Sequence, residues 1–273
     1  MSVSKSAERI ERIDTRLGAL HVRIIGTGPM TVLWPSMFVD SSTWDPLIPH
    51  LDPERQYVLV DGPGLGLSDP LHRRSTIDEA AAAALDLLGA LGATTPVDWV
   101  GNAFGGHVGY KLAALPGVLN SFVAISAPVE PISLALRAKI GVLMPLLRLA
   151  GPVGPVRDAV MSAMVTEASA RDAGIRAAVV ASLERPSKRS MTTALRSFIL
   201  ARVDVTAELA AINVPCLYIA SDDRGDWSPV QAQRAAAATP NATTVTVREA
   251  RTLIPLEQPE RVAEHLREFW SSL

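Results

Sequence analysis

Gly101-Asn-Ala-Phe-Gly-Gly106 lies between a short apolar run, Val97–Val100, and a segment of helical periodicity, Phe104–Ala114. Three glycines in six residues at such a junction let one backbone pass close to another, so the stretch reads as a tight strand-to-helix turn. A strand feeding directly into a helix is the repeating unit of a parallel sheet. The unit recurs on both sides. Further candidate strands are Leu20–Ile25, Thr31–Pro35, Tyr57–Asp61, Ser121–Ser126, Cys216–Ser221 and Thr243–Val247. Most lack in/out alternation, which is expected where helices cover both faces of a sheet. Helical patterns lie between them at Ile77–Leu91, Ser228–Ala238 and Pro259–Ser271, the last with Val262, Leu266 and Phe269 on one face.

The rhythm breaks at about Pro128. From 128 to 205 the sequence is Ala-, Leu- and Met-rich with no strand pattern, punctuated by Gly151-Pro152 and Gly154-Pro155. We expect an α/β fold, a mostly parallel central sheet flanked by helices, with 1–127 and 206–273 as its core. Residues 128–205 are expected to form an all-helical lid over one edge. Met144, Met161, Met164 and Met191 in that segment either line an adaptable apolar pocket or pack the lid onto the core.

The 273 residues are 48% hydrophobic, enough for a sizeable core, and carry a net charge of -2 with signs interspersed. That balance offers no electrostatic footprint for nucleic acid. The most apolar stretches, Ala80–Ala93 and Gly141–Ala150, are short or interrupted by Asp86, Pro145 and Arg148, well below the roughly 20 apolar residues of a membrane helix. The beginning of the chain, MSVSKSAERIERIDTRLG, has no apolar core and reads as a charged, soluble start. The single cysteine, Cys216, excludes an internal disulfide and reads as a small buried hydrophobe. The expectation is a cytoplasmic protein with no metal, no cofactor and no membrane or nucleic-acid partner, its oligomeric state open.

Three further stretches accompany the Gly101–Gly106 turn in chain order. Asp61-Gly-Pro-Gly-Leu-Gly-Leu-Ser68 follows a strand, Asn213-Val-Pro-Cys-Leu-Tyr-Ile-Ala-Ser-Asp-Asp223 contains one, and Ile254-Pro-Leu-Glu-Gln-Pro259 precedes the last helix. Together they resemble the α/β-hydrolase superfamily over residues 15–272, most closely its esterase, lactonase and dehalogenase-like branch. In that family the central residue of G-x-S-x-G is a serine nucleophile on a strained turn. Here the slot holds Ala103, which has no side-chain oxygen. The resemblance places the acid at Asp223, with Asp222 as the alternate, and the histidine at Leu253. The five histidines (His21, His50, His72, His107 and His265) all lie elsewhere in the sequence. His107, one turn into the elbow helix, reads as a packed helix histidine. Relatives carry His-Gly where this chain has Trp34-Pro35, followed by Ser36 and Met37. Proline removes one N–H, so Ser36 or Met37 would supply one oxyanion donor and the N–H of Phe104 the other.

Ser-His-Asp catalysis is therefore excluded, and the Asp-nucleophile route of epoxide hydrolases fails at the same slot. The fold implies a pocket at the strand ends, with Ser36, Met37, Asn102, Ala103, Phe104, Asp223, Arg224, Trp227, Arg251 and Leu253 as its candidate lining. The leading expectation is a repurposed enzyme performing a cyclisation, elimination or isomerisation on a bulky apolar small molecule. Asp223, Ser36 and Asp40 are its acid–base candidates, with loop capping the competing role for Ser36 and Asp40. The alternatives are a non-catalytic binding protein and a hydrolase with a relocated nucleophile. A carboxylate in the acid slot has lost its histidine partner, and Arg251 or Arg224 is the expected replacement.

Overall fold

The structure, a computed structural model, describes residues 8–223 and 225–273. Eight strands form one sheet: β1 (Arg9–Ile13), β2 (Leu20–Ile25), β3 (Met30–Trp34), β4 (Gln56–Val60), β5 (Val97–Asn102), β6 (Leu119–Ile125), β7 (Cys216–Ser221) and β8 (Ala242–Val247). Their spatial order is β1-β2-β4-β3-β5-β6-β7-β8. β2 runs antiparallel to both β1 and β4, and every other pairing is parallel. Seven strands lie where the sequence pattern put them. β1 was not anticipated: RIERI is a charged, mostly exposed edge strand, and its short alternation looks like the polar stretch around it.

Successive residues of the central strands serve opposite faces. Val32, Val58, Trp99, Phe122 and Tyr218 pack under α1 (Ile77–Ala90), α2 (Phe104–Ala113) and α7 (Pro229–Ala237). Leu33, Leu59, Val100, Val123 and Ile219 pack against Trp44, Leu47 and the last helix. Burial on both sides is why these strands read as unbroken apolar runs. Cys216 is buried in β7, and burial pushes its thiol up to about 12, so it behaves as a core residue.

Among the described residues no strand occurs between Ile125 and Cys216. Four helices fill the interval: α3 (Leu134–Ala150), α4 (Pro155–Met164), α5 (Ala173–Glu184) and α6 (Lys188–Ala194), which runs on into a π-helical turn, Leu195–Ile199. Ser133, Asp172 and Ser187 cap α3, α5 and α6, each accepting from an N–H three residues on. Gly154, at φ 48°, makes the turn ahead of α4, and Pro155 opens that helix. The helices share a third apolar cluster with Val39, Leu253 and Leu256 of the core. Short α8 (Ile254–Glu257) and α9 (Pro259–Ser271) close the chain. No helix among the described residues is long and apolar enough to cross a membrane.

Candidate functional site

The turn read from Gly101–Gly106 is a strained elbow. Ala103 stands at φ 45°, ψ -100°, between β5 and α2, a conformation that costs a non-glycine residue about 1–3 kcal/mol and needs its surroundings to hold it. Its N–H donates to the Ile125 carbonyl at 2.8 Å, and its own carbonyl accepts from the His107 N–H at 3.0 Å. A Cβ on Gly101 would lie 2.2 Å from the Gly105 backbone, and one on Gly105 would lie 2.1 Å from the Trp34 carbonyl oxygen. The glycines are therefore required by backbone contact on two sides. Behind the elbow, Phe104 stacks on Phe198 at 4.6 Å and meets Trp34 edge-on.

A cavity of about 160 Å³ opens at this elbow. Core residues Ser36, Met37, Phe38, Ala103 and Phe104 form one side. The inner faces of α3 and α4 form the other, through Leu136, Ile140, Leu143, Met144, Leu147, Val156, Val160 and Met164. Leu195 and Ile199 of the π-helical turn complete it, and π-turns of this kind recur at functional sites. Most of its wall is hydrocarbon. Its polar members are Ser36, His107, Ser126, Lys139, Arg202, Asp226 and Thr252. All three hydroxyls are occupied: Ser126 donates to the Arg251 carbonyl, Thr252 to the Ala163 carbonyl, and Ser36 makes a weak contact with the Met164 sulfur at 3.9 Å.

The expected site residues divide. Ser36, Met37, Ala103 and Phe104 are on the cavity wall; Asn102, Asp40, Asp223, Trp227, Arg251 and Leu253 are not. Asn102 is a tie, donating to the carbonyls of Ile125 and Thr252 at 3.1 and 2.8 Å. Asp40 caps the 3₁₀ turn Ser41–Trp44, accepting from the Ser42 N–H and hydroxyl, and is ion-paired with Arg185. Trp227 is buried against Tyr218 behind the wall. Arg224 lies outside the described residues. Met144 and Met164 line the cavity, whereas Met161 and Met191 are buried in the cluster that joins helices and core.

Asp223, the expected acid, stands in a salt bridge. Asp223 Oδ2 accepts from Arg251 Nε at 2.9 Å and Nη2 at 2.7 Å, a two-pronged pairing. Arg251 Nη1 also donates to the Ser162 carbonyl, and its backbone N–H donates to Glu257. The N–H groups of Thr252 and Leu253 both donate to the Met164 carbonyl. Leu253 is 1% exposed and shares an apolar cluster with Met161 and Met164.

Residues that the sequence did not bring forward supply the charge on the wall. Arg202 is nearly buried, with its side chain 5% exposed, and its Nη1 donates to Asp226 at 2.7 Å. His107 Nε2 is 2.9 Å from the Pro128 carbonyl. Burial, reinforced by Arg202, pulls the His107 pKa down to about 3 against that hydrogen bond, so the ring is neutral. A neutral ring donates from Nε2 and leaves Nδ1 as an unpartnered acceptor. Among the described residues no group of His, Cys, Asp and Glu is arranged to hold a metal ion.

Comparison with known proteins follows the geometry. Residues 31–265 match the model of the alpha/beta hydrolase family. Over 269 residues the chain is 26% identical to the pimeloyl-[acyl-carrier protein] methyl ester esterase of Stenotrophomonas maltophilia, covering 93% of this chain and 97% of that one. The esterases of the same name from Legionella pneumophila and Xanthomonas campestris match at 43% and 31%, but over only 20% and 40% of their own length. In three dimensions the chain resembles a thermophilic esterase from Thermogutta terrifontis (TM-score 0.85, 22% identity, 97% of this chain and 98% of that one). It also resembles the enol-lactonase of Burkholderia xenovorans (TM-score 0.84, 20% identity, 96% and 100%). At such identities the likeness establishes the fold alone. The chain belongs to the alpha/beta hydrolase family.

Proposed function

We propose that this chain uses the α/β-hydrolase fold to bind a compact apolar small molecule, without Ser-His-Asp hydrolysis, and that residues 128–205 act as the lid of the binding site. The observation that carries this reading is Ala103 on the elbow of an apolar cavity. The named relatives are esterases and a lactonase, and hydrolysis by the fold's usual route needs an oxygen where this chain has a methyl group. Neither Asp40 nor Asp223 is on the wall, and both are held in ion pairs. A cavity near 160 Å³ is close to the roughly 150 Å³ that takes a benzene ring in an apolar core. The ligand is accordingly a ring or short chain, smaller than the bulky body the sequence suggested.

A second reading, a non-hydrolytic step such as isomerisation or elimination, draws support from the unpartnered His107 Nδ1 on the wall. A base with a pKa of about 3 is poorly matched to proton abstraction near neutrality, which favours binding without turnover. The test is calorimetric titration with methyl octanoate, alongside Ala159→Phe, which fills the cavity from α4. Saturable binding that A159F abolishes at an unchanged melting temperature is the expected result. Failure of methyl octanoate and of neutral aromatics such as naphthalene to bind would overturn the reading, and so would steady hydrolysis of the ester.

A further inference from the structure

We propose that the ligand of this cavity carries a carboxylate, held by the Arg202 guanidinium, with its hydrocarbon body lying along α3 and α4. The inference rests on the binding role proposed above and adds the chemistry of the ligand's head. Arg202 follows the π-helical turn, its N–H donating to the Ile199 carbonyl, so backbone geometry fixes where the side chain starts. The side chain is 5% exposed, and a buried guanidinium requires acceptors for its donors. Asp226 takes Nη1 alone, and that carboxylate is 39% exposed, out at the rim. Nε is buried without a partner and is closed even to a water-sized group, so the donor left for a ligand is Nη2, which has no acceptor among the described residues. A carboxylate oxygen meets that donor with a charge-assisted hydrogen bond.

Charge on the wall points the same way. Lys139, Arg202 and Asp226 all line the cavity, and His107 on the same wall is neutral. The cavity wall thus carries one more cation than anion among the described residues, while most of it is hydrocarbon from residues such as Leu136, Ile140, Leu143 and Val160. An acid with a short apolar chain suits both features at once. A neutral ester or alcohol offers the guanidinium an acceptor oxygen but no charge, so its hydrogen bond there is the weaker one.

Calorimetric titration of the full chain with octanoate, methyl octanoate and octan-1-ol tests this, using wild type, Arg202→Met and Asp226→Asn. Wild type should bind octanoate about tenfold or more tightly than its methyl ester, the range expected of a charge-assisted pair. R202M should lose that preference and still bind methyl octanoate. D226N frees Nη1 from its competing carboxylate and should strengthen octanoate binding several-fold, a change that a purely structural Arg202 would not produce. Equal binding of acid and ester by wild type would overturn the inference and leave the binding reading standing. Retention of the preference in R202M, or an unchanged octanoate affinity in D226N, would overturn it equally. Binding of none of the three compounds would overturn the inference, and failure of naphthalene as well would overturn the binding reading with it.

Discussion

The elbow and the loop at 251–257 are held in opposite ways. At the elbow the backbone keeps every demanding feature, with a positive φ at Ala103 and glycines pressed against Trp34 and against each other, and only the reactive atom is absent. In the loop at 251–257 the polar groups are numerous but rewired. Asp223 pairs with Arg251, Arg251 reaches Ser162, and Leu253 joins the helices in an apolar cluster. The first region is geometry without chemistry and the second is chemistry redirected to structure. A fold's strained geometry can therefore stand because neighbouring backbone requires it, whatever side chain it presents.

The largest expected effect lies on the elbow side. Gly105→Ala sets a methyl 2.1 Å from the Trp34 carbonyl, and urea denaturation should show a loss of about 3 kcal/mol. A neutral result would mean that the elbow relaxes freely and that contact does not hold it. His107, one turn further on, gives the next effect. Its folded-state pKa near 3 lies below the ordinary 6.5, so between those values the unfolded chain takes up a proton that the folded chain refuses. Stability should fall as pH drops through that window, by up to about 1.4 kcal/mol per pH unit. His107→Gln should flatten that part of the profile.

On the loop side, Arg251→Leu removes the partner of Asp223. That carboxylate is 27% exposed and can rehydrate, so denaturation should show a loss of only about 1 kcal/mol. Ligand affinity should stay within about twofold, because neither residue is on the cavity wall. Weaker binding at constant melting temperature would instead make the pair part of the site. Ala103→Ser should have the smallest effect of all: it adds a hydroxyl, but His107 on the same wall has a pKa of about 3 and is too weak a base to activate it near neutrality, so ester hydrolysis stays at background.

The core of the fold was legible because buried parallel strands are unbroken apolar runs and the elbow glycines have a steric cause. The Asp223–Arg251 pair was legible for a similar reason, since a carboxylate deprived of its partner needs another nearby. Most of the cavity was not legible. It is made where the inner faces of α3 and α4 meet the elbow, and helical periodicity does not say which apolar residues face a void and which face a neighbour. Arg202 was missed because one arginine in a helical stretch reads as a solvated charge; only the packing around the π-helical turn buries it. Asp40 had two readings from sequence, acid or cap, and the hydrogen bonds from Ser42 show the cap.

The central claim is that position 103 presents no nucleophile and that no other residue has taken over its role. Intact mass spectrometry after incubation with excess alkyl fluorophosphonate tests it most directly, with a serine esterase of the same fold as positive control. The account predicts an unmodified mass for this chain under conditions that label the control completely. A single stoichiometric adduct, mapped by peptide sequencing to Ser36 or to any other serine, would contradict it.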